Sequence, residues 1–144
     1  MKNKISVIIR TKNEERWIGQ CLKRIHTQSY RNYEVILVDD GSPVSLKSII
    51  NKDEYNIELE IITNRFNLGQ SKSIEIGLNN STGDLIGLID ADCQNPPKEL
   101  KKLYDFYITN NYDAIISYRK NRKDEFLRKL ISKIANLILK FFTK

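Results

Sequence analysis

A chain of 144 residues fits one domain and leaves little room for a second. A domain of that size buries about two-thirds of its unfolded surface, so it needs no disulfide or structural metal to fold. The net charge of +6 is confined to one end: residues 119–144 carry nine Lys/Arg against two Asp/Glu, and the other 118 residues carry fifteen against sixteen, which excludes a uniformly basic nucleic-acid-binding surface.

The predicted elements alternate in type along the chain. Residues 5–9 form an apolar, β-branched run that reads as a buried strand. Residues 14–26 read as a helix with Trp17, Ile18, Cys21, Leu22 and Ile25 on one face. A second strand over 34–38 ends in Asp39-Asp40-Gly41-Ser42, and 44–50 reads as a short helix. A third strand over 58–63 is followed by Asn67-Leu68-Gly69, which opens a helix through Leu78. The Asn/Ser/Thr/Gly-rich stretch 79–83 is a turn, and a fourth strand over 85–89 runs into Asp90-Ala91-Asp92. Pro96-Pro97 starts a helix to about Ile108, proline being tolerated in a first turn. A fifth strand is expected over 114–118 and a long final helix over 124–142.

Strands separated by helices argue for an α/β fold with a parallel sheet flanked by helices. Ligands of such sheets bind beyond the carboxyl ends of the strands. Polar residues gather there: 10–13, Asp39-Asp40, Asn64-Arg65, 90–94 and Arg119, so that five strand ends are expected on one rim. The cysteines Cys21 and Cys93 are far apart and have no CxxC or Cys/His spacing, so neither a zinc site nor a disulfide framework is expected, and a reducing compartment is. No signal-peptide pattern and no run of ~18 apolar residues occurs, which makes the cytoplasm the expected location. Trp17 and the lone His26 read as structural.

The chemistry centres on Asp90-Ala91-Asp92-Cys93-Gln94-Asn95-Pro96-Pro97. Two carboxylates one residue apart at a strand end suit a hard divalent cation such as Mg2+ or Mn2+, which keeps positions open for substrate phosphates. Gln94 offers a further, neutral oxygen. A cation there would neutralise a diphosphate leaving group.

Four further blocks carry a resemblance. Ser6-Val7-Ile8-Ile9-Arg10-Thr11-Lys12-Asn13-Glu14-Glu15, Tyr33-Glu34-Val35-Ile36-Leu37-Val38-Asp39-Asp40-Gly41-Ser42, Asn64-Arg65-Phe66-Asn67-Leu68-Gly69 and Ser81-Thr82-Gly83-Asp84 occur in the order found in family 2 glycosyltransferases. With the Asp-x-Asp strand they span most of residues 5–120, and the chain resembles that family. The resemblance implies a GT-A, Rossmann-like fold. It places Thr11, Asn13 and Glu14 near the base and ribose of a nucleoside diphosphate sugar, with Asp39 hydrogen-bonded to the base. Asp40, Arg65, Asp90 and Ala91 complete that set. Arg10 departs from it, because proline is common there in the family. The extended Asp-Ala-Asp-Cys-Gln-Asn-Pro-Pro run is similar to that of dolichyl-phosphate mannose synthases and bacterial polyprenyl-phosphate glycosyltransferases, and Cys93 stands in it as a packing residue.

This points to transfer of a hexose from UDP- or GDP-sugar to a polyprenyl phosphate, inverting by family resemblance, with Asp92 and Arg119 at the chemistry. A phosphate monoester, with its second pKa near ~6, is already an anionic nucleophile at neutral pH. It needs cations to hold it, and Arg119, Arg122 and Arg128 offer bidentate donors. In the last helix Leu127, Leu130, Ile131, Ile134, Ile138 and Phe141 recur at helical spacing, with Arg128, Lys129, Lys133 and Lys140 largely elsewhere on the circumference. Such a basic amphipathic helix suits the cytoplasmic face of a membrane. The expected organisation is a nucleotide-sugar domain over 1–120 and an acceptor- and membrane-side helix over 121–144. Two other readings stand beside it: a nucleotide-sugar-binding module of weak activity that works with a partner chain or as a homo-oligomer, and a transferase to a glycan or protein hydroxyl. The last would require a base, and no residue of the chain is an obvious one.

Overall fold

The structure is a computed structural model that describes residues 3–93, 97–110 and 112–117. Four parallel strands, β1 (Ile5–Thr11), β2 (Tyr33–Asp39), β3 (Glu58–Thr63) and β4 (Leu85–Asp90), form a sheet in the order β3-β2-β1-β4. Helices α1 (Glu15–His26), α2 (Leu46–Ile49), α3 (Gln70–Asn79) and α4 (Lys98–Thr109) fall between or after them, with one 3-10 turn at Lys52–Glu54. All of this lies within the unit Met1–Ala114; a second unit begins at Ile115. Among the described residues no helix is long and apolar enough to cross a membrane.

Both faces of the central strands are covered, which is why β1 and β2 read as continuous apolar runs. On one face Val7 and Ile9, Val35 and Leu37, Leu59 and Ile61, and Ile89 and Ala91 pack with Ile18, Cys21, Leu22 and Ile25 of α1. On the other, Ile8, Ile36 and Val38 meet Ile62 and Ile76. There α3 comes very close, since a Cβ on Gly77 would lie 2.5 Å from Ile8 Cγ2.

At the amino ends of the strands Glu34 organises a polar network. It accepts from Lys4 Nζ (2.8 Å), Ser6 Oγ (2.6 Å), Thr82 N (2.7 Å) and Thr82 Oγ1 (2.8 Å), and Ser6 Oγ accepts from Gly83 N (2.8 Å). This ties the turn before β4 to β1 and β2. Gly83 is required there because a Cβ would lie 2.6 Å from Ser6 N.

Two expectations are corrected. Trp17 is 45% exposed, so the buried face of α1 is Ile18, Cys21, Leu22 and Ile25 alone. The strand expected at 114–118 is not formed in its described part: residues 114–117 pair with no strand, and Ile116 is 90% exposed. β-propensity expresses packing in a ladder, and a short β-branched run without one stays irregular. Four strand ends, not five, therefore meet at the described rim. Gln94, Tyr118, Arg119, Arg122, Arg128 and the helix expected over 124–142 lie outside the described residues.

Candidate functional site

After β1 the chain crosses to β2 and β3 on one side, and it returns to β4 on the other. The crevice between the β1 and β4 ends is therefore the topological switch point, the place where open α/β sheets bind ligands. An open, polar cleft of about 130 Å³ lies there, lined by Arg10, Thr11, Lys12, Glu14, Asp90, Ala91 and Asp92. Strand register builds it: Arg10 stands opposite Asp90, and Thr11 stands opposite Asp39.

The loop after β1 is held open by its neighbour. Asn13 takes a left-handed conformation (φ 58°), which asparagine tolerates better than most residues. Its N–H donates to Ser42 Oγ (2.9 Å), and Ser42 in turn donates its hydroxyl (2.5 Å) and its N–H (3.1 Å) to Asp39 Oδ1. Gly41 (φ 74°) permits this turn: a Cβ there would sit 2.7 Å from the Phe66 carbonyl carbon.

Besides Arg10 Nε, two buried polar atoms at this end have no partner among the described residues, Asp39 Oδ2 and Thr11 Oγ1. A buried carboxylate oxygen left unsatisfied is costly, so this pair marks a place where a ligand donor fits. Asp40 differs. Its Oδ1 accepts from Leu68 N (2.8 Å) and Asn64 Nδ2 (3.2 Å), and its Oδ2 accepts from Gly69 N (3.1 Å). Burial would raise the Asp40 carboxyl, but these hydrogen bonds outweigh it and hold it below the usual range. Asp40 therefore fixes the loop 64–69, whose Arg65 is exposed and does not line the cleft.

Asp90 and Asp92 are partly open to solvent at the cleft. Among the described residues no cluster of three or more His, Cys, Asp or Glu could enclose a metal. The donor set is thus two carboxylates on an open, polar wall, which fits a Mg2+- or Mn2+-type ion whose remaining positions go to phosphate and water. Cys93 (φ 58°) closes the acidic turn against α1, with Sγ 3.8 Å from the Trp17 carbonyl oxygen. Burial first, and the nearby Cys93 second, push the Cys21 thiol up to about 12, so it is inert packing.

The structure thus brings Thr11, Glu14, Asp90, Ala91 and Asp92 together, seats Asn13 and Asp39 beside them through Ser42, and leaves Asp40 and Arg65 outside. In sequence Arg10 and Lys12 fall on the strand-end rim without a binding role of their own, Arg10 being noted besides as a departure from the family, and Ser42 has none. The strand-end position of Arg10-Thr11-Lys12 was the available signal.

A doubly wound parallel domain with a carboxylate-bearing cleft at its switch point is of the nucleotide-binding kind. The match to the family described as glycosyl transferase family 2 covers residues 6–144, and the chain belongs to that family. It is 40% identical over 144 residues to an undecaprenyl-phosphate 4-deoxy-4-formamido-L-arabinose transferase of Proteus mirabilis, covering 95% of this chain and 43% of that one. To the enzyme of the same description from Klebsiella pneumoniae it is 35% identical over 142 residues, covering 94% and 43%. The chain therefore spans less than half the length of these relatives. Among solved structures, S. aureus TarS 1-349 in complex with UDP-GlcNAc aligns with a TM-score of 0.66 and 23% identity over 85% of this chain and 37% of that one. The mannosyltransferase PcManGT from Pyrobaculum calidifontis in complex with GDP-Man and Mn2+ gives 0.66 and 23% over 74% and 33%. These likenesses establish the GT-A fold.

Proposed function

We propose that this chain carries the donor side of a transferase that moves a hexose from a nucleoside diphosphate sugar to a polyprenyl phosphate. The observation that carries the reading is the cleft itself: two carboxylates at one strand end beside the unpartnered Asp39 Oδ2 and Thr11 Oγ1 at the neighbouring ones. Both uracil and guanine present ring N–H groups that Asp39 Oδ2 would accept. Thr11, Asn13 and Glu14 flank base and ribose. Asp40 serves indirectly, by holding the loop that bears Arg65.

Asp90 and Asp92 would hold Mg2+ or Mn2+, which when bound supplies Lewis-acid neutralisation of the diphosphate. The Mn2+ and GDP-Man of the Pyrobaculum enzyme are compatible with that assignment. The acceptor assignment draws on the undecaprenyl-phosphate relatives. In the reaction an acceptor phosphate oxygen bonds to the anomeric carbon as the bond from that carbon to the diphosphate oxygen breaks. The acceptor arrives already ionised, so the residues asked for are cations, and Arg119, Arg122 and Arg128 are the candidates. The basic stretch 119–144 suits the surface of an anionic membrane where such an acceptor resides.

The reading is tested by transfer from radiolabelled UDP- and GDP-hexoses to undecaprenyl phosphate in detergent micelles. Lipid-linked sugar that disappears in Asp92→Ala is the expected result. Donor binding with no transfer would favour a nucleotide-sugar-binding module that needs a partner. Transfer to a peptide or glycan hydroxyl in preference to the lipid would refute the acceptor.

A further inference from the structure

Arg10 is the unusual residue of the cleft. It lies one residue from the end of β1, opposite Asp90 in the β1–β4 register, with its side chain 28% exposed. Its Nη1 is 3.9 Å from Asp90 Oδ1, too far for a hydrogen bond, so the pair attracts only through space. Its Nε is buried with no partner among the described residues. A guanidinium has five N–H donors in a fixed fork, and among the described residues Arg10 makes one ion pair and no hydrogen bond. Asp90 therefore braces the group while leaving its donors unspent. The fork matches two oxygens of a phosphate.

The charges lining the cleft are Arg10 and Lys12 against Glu14, Asp90 and Asp92. Arg10 is thus set against the very carboxylate that a divalent cation would use. A fixed cation there weakens the hold of Asp90 on a metal ion and strengthens the hold of the cleft on a diphosphate. The two effects have opposite sign, which makes them separable.

We propose that Arg10, braced by Asp90, binds the diphosphate of the donor directly, so that nucleotide binding persists in part without a divalent cation. This rests on the donor reading given above. It assigns to Arg10 a charge-neutralising role that a metal alone would otherwise fill.

The test uses the full chain and two variants, Arg10→Ala and Arg10→Lys. UDP and GDP are titrated calorimetrically in excess EDTA. Mn2+ alone is titrated by the electron paramagnetic resonance signal of the free ion. Arg10→Ala is expected to weaken nucleotide binding in EDTA about tenfold or more and to tighten Mn2+ binding several-fold. Arg10→Lys keeps the charge and loses the fork, so its Mn2+ affinity stays near wild type while its nucleotide affinity falls part of the way. Uridine and guanosine, which lack phosphates, bind wild type and variants alike. Equal weakening of nucleoside, nucleotide and Mn2+ binding would mean a merely structural residue and overturn the proposal. So would nucleotide binding indifferent to both substitutions, which leaves the donor reading intact. If the wild type binds neither nucleotide with or without Mn2+, the donor reading itself fails and this inference goes with it. If Arg10→Ala does not fold, the Arg10→Lys comparison decides alone.

Discussion

Ser42 donates twice to one oxygen of Asp39 and leaves the other without a partner among the described residues, while Asp40, the next residue along from Asp39, spends both of its own on Asn64, Leu68 and Gly69. Two adjacent aspartates thus divide into one with an oxygen left over, which we propose meets the nucleotide base, and one that shapes the loop 64–69. The split has a consequence for mutation. Asp40→Asn places an amide N–H2 against backbone N–H donors and removes a charged acceptor from a buried position. The expected cost is about 2 kcal/mol, read as a lowered Tm together with faster hydrogen exchange at the Leu68 and Gly69 amides. Unchanged exchange there would contradict the role given to Asp40. The family resemblance singles out Asp39 for the base, but the loop-holding role of Asp40 was not legible in sequence, because its partners in the loop 64–69 are 24 or more residues away.

At the scale of elements, the central strands β1 and β2 were legible because both of their faces are covered and they read as near-continuous apolar runs, and β3 and β4 because short apolar, β-branched segments there are bounded by turns. The amphipathic helix α1 was legible for the complementary reason, although Trp17 lies at the edge of its stripe and is solvent-facing. What pins β4 to the sheet was not legible, because Glu34 and Thr82 are 48 residues apart. Burial alone would raise the Glu34 carboxyl, but hydrogen bonds from Lys4, Ser6 and Thr82 outweigh it and hold it at about 2, below the ordinary 4.5. A carboxyl whose folded value is the lower one stabilises the fold fully above its unfolded value. That contribution is lost as pH falls from about 4.5 toward about 2. Glu34→Gln should lower stability at pH 7 by roughly 2 kcal/mol and flatten the pH dependence of denaturant midpoints in that acid window. A variant whose acid limb matched wild type would show that Glu34 is not the titrating clamp.

At the scale of the molecule, the switch point between β1 and β4 converts strand order into a cleft whose lining includes Arg10, Thr11, Asp90 and Asp92. Position along the chain was enough to expect Asp90 and Asp92 at a strand end. The placing of Arg10 against Asp90 required the parallel register, which no local pattern encodes. The central claim is that this cleft binds a nucleoside diphosphate sugar through two carboxylates and an unpartnered Asp39 oxygen. Calorimetric titration of UDP-glucose and GDP-mannose, with and without Mn2+, on wild type, Asp39→Ala and Asp92→Ala tests it most directly. The account predicts that one donor binds and that Mn2+ tightens it in wild type. Mn2+ should have little effect in Asp92→Ala, and Asp39→Ala should lose about tenfold or more in affinity at every metal concentration. Donor binding equally strong in all three proteins, or absent from the wild type, would contradict it.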